Sequence, residues 1–365
     1  MTLESLRWAA RAIRNEIVRF RFGYPLEIVP AAGPKDSLHY YIYSDSLSWS
    51  CMKLDANGIP LYCNRVIGES YHPAYIAWYG LVNLGHHLRR QDQASLNTFL
   101  NQVCWLEDHA VRWSDGAVVW PVPYDWQEGK TMLKAPWISA YVQGLGISAL
   151  VRGWRVTGRR KILELLSKST AIFEINVSRS GVRDVVGDHV LYAEYPGSRP
   201  PGPLDGLMTC LLGLYDLFME TGDGAVERLF TQGLDGLKYL LPNWDYRKKW
   251  SWYSSREYLC PPAYHNLNRV LLAVLARLTK EPTLAEYAER WDPARLTPTG
   301  RMEVFSLFVL TKNVCRVKHQ TWRQKTAPAS ELAPTTDSIE TQSYPLQKTQ
   351  AVVARTKAGV AAHHD

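Results

Sequence analysis

From about residue 71 to residue 315 the chain places apolar residues at the three- and four-residue steps of amphipathic helices. The pattern predicts helices over 73–90, 94–111, 137–157, 160–176, 203–220, 224–241, 263–279, 283–291 and 300–315. Thr157-Gly158, Gly222 and Pro242 punctuate the series, because glycine and proline end helices more readily than they continue them. Successive helices with short connections pair antiparallel. Many such pairs in a ring make a mainly α fold, an α/α toroid (an incomplete barrel) with a groove at one mouth. Residues 113–128 and 181–196 are too rich in Val, Trp, Pro and Gly for helix and read as short strands or loops. Loops at the mouth of a helical scaffold are where chemistry usually sits.

The flanks read differently. Leu3, Leu6, Ala10, Ile13, Ile17 and Phe20 share one helical face, and Arg7, Arg11 and Arg14 another. Such a helix lies on a membrane surface, a peripheral contact, or docks on its own protein; docking is the commoner outcome. Residues 23–36 carry the Pro and Gly of a linker. His39–Tyr43 and Leu61–Ile67 are β-prone, with the turn pair Asn57-Gly58 between them, which predicts a small β element near the N-terminus. Beyond about residue 319 Thr, Ala, Gln, Ser and Lys dominate, the composition of a disordered tail. The expected division is an amphipathic helix and linker over 1–36, a β element over 37–70, an α/α catalytic domain over 71–318 and a tail over 319–365.

Composition adds a preference about partners. The 365 residues include 14 Trp and 20 Tyr against 8 Phe. Rings that pair an apolar face with a polar edge suit a groove for sugars, though they equally suit a large core. The net charge of +7 and the pI of about 9.0 favour an anionic partner. No zinc finger, RNA-binding strand motif or dense Lys/Arg run appears, so nucleic acid is the weakest choice and an acidic polysaccharide the most consistent. The six cysteines are spread without a CxxC pair or a His cluster at metal-ligand spacing. They read as free, mostly buried thiols in a reducing compartment. With no signal peptide and no apolar run of membrane-spanning length, the expectation is a cytoplasmic protein. Pairing into a homodimer stays open.

Three aromatic-polar clusters fall at element boundaries rather than on periodic apolar faces. They are Asp188–Pro196, which holds Tyr192, Glu194 and Tyr195; Trp250–Tyr258, which holds Tyr253 and Arg256; and Pro261–Arg269, which holds Tyr264 and His265. Together with Tyr71-His72-Pro73, Ser139–Ser148, Leu211–Leu217 and Leu237–Pro242 they occur in the order and spacing of a known family. From roughly Tyr71 to Trp291 the chain resembles the D-glucuronyl C5-epimerases of heparan sulfate and heparin biosynthesis and their bacterial relatives. The resemblance implies catalytic tyrosines at Tyr195, Tyr253 and Tyr264, supporting roles for Glu194 and Arg256, and no cofactor. It also implies the activity: D-glucuronate becomes L-iduronate inside a heparosan-like polysaccharide. Departures lie around these residues. The family's Asp-Leu-Arg-His after the second tyrosine is Ser254–Glu257, its second histidine after the third tyrosine is Asn268, its Asn-Gly pair is Asp205-Gly206, and its acidic pair is Ala193-Glu194.

The chemistry agrees with these residue types. Inverting carbon 5 removes a proton from one face and returns one to the other, so two proton-transfer groups must flank the sugar. A tyrosine serves if its pKa falls from about 10 toward working pH, which a cation such as Arg256 favours. Charge growing on the uronate carboxyl needs donors, and an arginine grips a carboxylate with two bonds. His265, Tyr71, His72, Tyr141, Gln143 and Tyr192 are candidate substrate contacts, each with a packing role as its rival. Three other readings stay open: a lyase that breaks a uronan by β-elimination, a glycoside hydrolase pairing Glu194 with Asp125, Asp188 or Asp205, and a non-catalytic uronan-binding protein.

Overall fold

The computed structural model describes residues 13–326 apart from 16, 19, 25, 34, 45–51, 65–66 and 255–256. Cys51, Arg256, most of the N-terminal helix and the predicted tail beyond 326 lie outside the described residues. Among the described residues the chain is mostly helical. The longer helices are α1 (Pro73–Arg90), α2 (Gln93–Asp108), α3 (Ala140–Thr157), α4 (Arg160–Ser169), α5 (Leu204–Thr221), α6 (Gly224–Trp244), α7 (Pro262–Thr279), α8 (Pro282–Arg290) and α9 (Pro298–Thr326). Each answers to a predicted segment. Gly158 and Gly222 close α3 and α5 in the left-handed conformation, as expected. Pro242 does not end α6, which runs on to Trp244 with the proline inside its last turn. The helix predicted from residue 300 begins at Pro298 and runs to Thr326, past the expected start of the tail.

The helices pack in two layers. α1, α3, α5 and α7 lie side by side in that order, and α2, α4, α6 and α8 back them as their sequence neighbours. The contact between α3 and α5 is the most intimate because it is made by glycines. A Cβ on Gly144 would overlap the Cys210 backbone, and one on Gly213 would overlap Gly144. Close backbone approach of this kind is what glycine permits and other residues forbid. The inner helices bury continuous apolar faces, including Ile76, Leu81, Leu145, Ile147, Leu211, Leu214, Leu271 and Leu275.

Short antiparallel sheets decorate the layers. The first reaches back beyond the predicted β element. β1 (Glu27–Ile28) pairs with β2 (Ile42–Tyr43), so the stretch read as a linker carries a strand. His39–Tyr43 therefore does not form a hairpin with Leu61–Ile67. Instead β3 (Met52–Leu54), β4 (Pro60–Asn64) and β5 (Gly68–Tyr71) make a separate sheet that turns at Asp55–Gly58.

The segment 27–43 runs under the C-terminal ends of all four inner helices and forms a floor. The Tyr43 hydroxyl meets His86 Nδ1 at 2.8 Å and Arg89 bonds Glu27 at 2.8 Å, both on α1. Arg152 and Arg155 of α3 donate to the carbonyls of Leu38, His39 and Ser37. Arg277 of α7 donates to those of Val29, Pro30 and Ala32. At the centre Asp216 of α5 accepts from Arg152 (2.6 Å), Tyr41 (2.7 Å) and Ser148 (2.7 Å), with both partners of the ion pair buried. Arginines at helix C-termini also complement the negative end of each helix dipole.

The remaining sheets stand toward the other end. β6 (Val111–Arg112) pairs with β7 (Val118–Val119), and β8 (Trp126–Glu128) with β9 (Thr131–Leu133). β10 (Arg183–Val186) pairs with β11 (His189–Tyr192), and β12 (Asp245–Tyr246), β13 (Trp250–Tyr253) and β14 (Tyr258–Leu259) form one more sheet. Thus 113–128 and 181–196 are the strand-and-loop interruptions that composition predicted. Among the described residues no helix is long and apolar enough to cross a membrane, and Cys63, Cys104, Cys210, Cys260 and Cys315 are free thiols.

Candidate active site

The first turns of the four inner helices carry the chemistry. Tyr75 is in the first turn of α1, Tyr141 in that of α3, Asp205 in that of α5 and Tyr264 in that of α7. Their charges act on one another: Tyr141 feels Tyr75, Glu194, Asp205 and Tyr264. The inner helices therefore run parallel, with their N-terminal ends converging on one mouth opposite the floor. Helix N-termini present unpaired N–H groups and a partial positive charge, which favours anions there.

Loops complete the mouth. Ala193 accepts a backbone hydrogen bond from Ala140 (3.0 Å), which ties the Glu194-Tyr195 loop to the start of α3. Glu194 lies against the start of α5, where a Cβ on Gly206 would overlap its carboxylate. Burial, reinforced by the charges of Asp205 and Glu128, pushes the Glu194 carboxyl well above the usual carboxylate range, against the pull of a hydrogen bond with Tyr195. Its Oε2 is buried without a hydrogen-bond partner among the described residues. An orphaned buried carboxylate oxygen is costly in a protein interior.

Tyr195 packs against Trp137 at 5.9 Å between ring centres. Tyr253, at the end of β13, stacks on Tyr258 at 4.9 Å and meets Tyr264 edge-on at 6.1 Å. Burial raises all three candidate catalytic tyrosines well above 10; the charge of Glu194 adds to it at each, and that of Glu128 at Tyr195 and Tyr253. Tyr264 is 45% exposed, so solvent tempers its shift and the mouth opens at that residue. The structure thus brings Tyr195, Tyr253, Tyr264, Glu194 and Tyr141 into one cluster. Ser255 and Arg256 lie outside the described residues.

Several sequence candidates spend their polar atoms on the protein itself. Gln143 is buried and spends its amide on the carbonyls of Val118 and Ser169, both at 2.8 Å. Tyr192 is buried with its hydroxyl on the Leu229 carbonyl. The Tyr71 hydroxyl bonds Asp55 at 2.8 Å, on the β3–β5 sheet. His72 is the N-cap of α1: Nδ1 accepts from the Ala74 N–H, the ring stacks on Tyr75 at 4.6 Å, and burial lowers its pKa to about 4. His265 is fully buried, stacked on Trp250 at 3.5 Å. Its Nδ1 accepts from the Ser251 N–H and its Nε2 donates to the Trp291 carbonyl, while burial takes its pKa to about 3. A neutral histidine held at both nitrogens is a strut that fixes Tyr264 beside it, not a sugar contact. Of the acids offered as partners for Glu194, Asp125 is in an exposed ion pair with Lys134. Asp188 lines an outer cleft of about 520 Å³ with Arg183, His189, Lys238 and Tyr239, away from the tyrosines. Only Asp205 shares the mouth.

Sequence reasoning missed Tyr75 and Glu128 as site residues and offered Asp205 only as a departure from a motif and as one of three acids that could pair with Glu194. Asp205 is raised to about 6 by burial, opposed by hydrogen bonds from the backbone N–H groups of Asp205 and Gly206. Glu128, on the β8–β9 hairpin, is raised to about 7 by burial, opposed by the Trp126 indole and further raised by Glu257. The hairpin touches both tyrosine loops: Thr131 bonds the Gly197 carbonyl at 3.3 Å, and Gly129 abuts Glu257. Tyr75 follows the Tyr71-His72-Pro73 signal by two residues, and helix phase alone would have turned it inward. Nothing local announces Glu128. Among the described residues no group of His, Cys, Asp and Glu is arranged to hold a metal ion.

A family model described as the D-glucuronyl C5-epimerase C-terminus matches residues 114–293, the span that supplies every member of the cluster except Tyr75. That segment belongs to the C-terminal domain family of the D-glucuronyl C5-epimerases. The D-glucuronyl C5-epimerase of Caenorhabditis elegans is 31% identical over 192 residues, 47% of this chain and 31% of that protein. An uncharacterized protein of Methanocaldococcus jannaschii is 24% identical over 178 residues, 48% of this chain and 57% of that protein. The chain thus matches about a third of one relative's length and little more than half of the other's. In this epimerase-type domain the three tyrosines and Glu194 are the residues the resemblance marks out.

Proposed function

We propose that the chain inverts carbon 5 of D-glucuronate residues within an acidic, heparosan-like polysaccharide, giving L-iduronate. The observation that carries this is the mouth itself: tyrosines from three separate elements meet around a buried, unpartnered Glu194 carboxylate oxygen. The two-layer row of helices is read as the arc of an α/α toroid whose groove admits a long chain.

The tyrosines rest protonated, since their surroundings oppose the phenolate. Each is therefore ready to donate, and one becomes a base only by passing its own proton on. Glu194, hydrogen-bonded with Tyr195, is the acceptor in its ionised form, which its enclosed surroundings make a strong base for a carboxylate. In one direction the C5–H bond breaks and its proton goes to Tyr195 as the Tyr195 proton goes to Glu194. The pair of electrons left behind spreads into the uronate carboxyl. A tyrosine hydroxyl from the opposite wall, Tyr253 or Tyr264, then gives its proton to carbon 5 from the other face. The proton count is unchanged: Glu194 gives up the proton it gained, and the tyrosine that donated takes one back from solvent at the open, Tyr264 side of the mouth.

The test is incubation with unsulfated and N-sulfated heparosan in heavy water. Deuterium entering carbon 5 by NMR, with iduronate and without ultraviolet absorbance of an unsaturated uronate, is the expected result. Rising absorbance instead makes the protein a lyase, new reducing ends make it a hydrolase through Glu194 and Asp205, and no change with any uronan removes the proposal.

A further inference from the structure

The cleft outside the tyrosine cluster is built on the strand pair that carries Glu194. β11 is extended from His189 to Tyr192 and leads directly into Glu194-Tyr195. It presses on α6 through two glycines. A Cβ on Gly236 would overlap the Val190 carbonyl, and one on Gly233 would overlap Leu211 and the Tyr192 ring. Backbone this close to a helix needs glycine at the contact. Tyr239 follows Gly236 at the three-residue step that keeps it on the same side of the helix. Its ring stacks on His189 at 4.0 Å between centres and 18° between planes. Tyr239 is nevertheless 53% exposed, so the ring is held by the protein and still open to solvent.

The cleft of about 520 Å³ between hairpin and helix combines three kinds of group. The Tyr239 ring is its aromatic surface. Asp188, Asp235 and Gln232 are acceptors. Arg183 is a donor that gives one nitrogen to Asn176 Oδ1 at 3.2 Å, and its planar fork carries five N–H groups in all. Lys238 is held by Asp235 (2.9 Å) and Glu281 (3.0 Å) and serves as part of the wall. A ring to stack on, a fork that grips a carboxylate and acceptors for hydroxyls match the chemistry of a uronic acid chain. Nucleic acid fits worse, because Asp188 and Asp235 would face its closely spaced phosphates.

We infer that this outer cleft is a second binding site for the acidic polysaccharide, with Tyr239 stacking a sugar and Arg183 pairing with a uronate carboxylate. This rests on the uronan reading above. At about 3.3 Å per residue the stretch from His189 to Glu194 covers roughly 16 Å, so the sugars held here lie several units from the one that reacts. Asp184 and Leu191 of the same hairpin line a tight crevice with Glu194 and Tyr195, so one strand pair borders both places. A chain held in the cleft presents its other sugars to the mouth at high effective concentration. The cleft therefore adds affinity for long chains and nothing for short ones.

The experiment measures, by calorimetry on the full chain, binding of a heparosan tetrasaccharide, of a dodecasaccharide, and of the dodecasaccharide with its carboxyls reduced to alcohols. Wild type, Tyr239→Ala, Tyr239→Phe and Arg183→Gln are compared, with circular dichroism as the check on fold. Tyr239→Ala is expected to weaken the dodecasaccharide about tenfold and leave the tetrasaccharide unchanged, while Tyr239→Phe keeps most of the affinity. Arg183→Gln should weaken the dodecasaccharide and spare its reduced form. In C5 exchange the loss falls on KM for the long chain, with kcat within about twofold. Equal binding of the dodecasaccharide by wild type and Tyr239→Ala overturns the inference. So does an equal loss for both lengths, which makes Tyr239 a prop for the Glu194 strand, and so does a wild type that binds no uronan. An Arg183→Gln loss that is the same for the reduced chain overturns the carboxylate contact. Tyr239-dependent binding of the long chain without deuterium at carbon 5 leaves the inference standing and overturns the epimerase reading alone, and exchange at carbon 5 that ignores Tyr239 at both lengths does the reverse.

Discussion

The two ends of the inner helices are built from similar materials and arranged to opposite ends. At the floor, Asp216 is buried against Arg152, Tyr41 and Ser148, and the arginines spend their remaining donors on carbonyls of residues 29–39. At the mouth, Glu194 is likewise enclosed, yet one oxygen has no partner among the described residues, and the groups around it are other acids and tyrosines. The floor pairs its buried charge, with Asp216 held by Arg152, Tyr41 and Ser148, and so holds the helices in register, although the Arg277 Nε is buried without a partner among the described residues. The mouth leaves valences open and raises proton affinities, a state that the floor's rigidity sustains.

The contrast can be broken at several points. The largest effect is expected at the mouth. Tyr195→Phe, Tyr253→Phe or Tyr264→Phe should lower C5 exchange by about 10²–10⁴-fold, the usual worth of a positioned acid or base, while thermal stability stays level. A fall in stability matching the fall in rate would make these tyrosines part of the scaffold. At the floor the signs reverse. Asp216→Ala strands Arg152 in the interior and should lower unfolding free energy in denaturant by about 3–5 kcal/mol. Chemistry per folded molecule should survive; a native-like stability would mean that the floor does not hold the helices.

Acidity separates the ends more gently. Glu194, Asp205 and Glu128 bind protons more tightly folded than unfolded, so the folded state holds protons that the unfolded chain has released. Their protonated forms favour folding below about pH 4, and that contribution is lost as pH rises to about 6 at Asp205 and about 7 at Glu128. Stability should thus fall by on the order of 2 kcal/mol between pH 4 and 7 once solvent screening is allowed for. Asp205→Asn should flatten the slope and gain stability at pH 8, and an unchanged slope in urea titrations would place the ionisations elsewhere.

The helices and their order were legible in the sequence because each buries one apolar stripe, and a stripe repeats every three or four residues whatever lies opposite. The tyrosines at 195, 253 and 264 and Glu194 were legible because they cluster at element boundaries, off those stripes. Residues 27–36 were read as linker, and the strand expected near 39–43 was grouped with the later β-prone run, because the partners of this segment, Arg152, Arg155, Asp216 and Arg277, lie more than a hundred residues away. Gln143, Tyr192 and His265 looked like ligand groups because residue type does not reveal whether a side chain finds its hydrogen bonds inside the protein. Glu128 carried no local signal at all.

What the sequence determined by itself was periodicity: where the helices run, where they stop and which boundaries gather polar aromatics. What only the tertiary structure decided was convergence. Four parallel helix starts and one hairpin meet at a single mouth, and that meeting sets which carboxyl is enclosed. The physical reason is range. Helical pattern is enforced by neighbours three or four positions apart, whereas proton affinity and charge balance depend on distance through space, which only packing fixes.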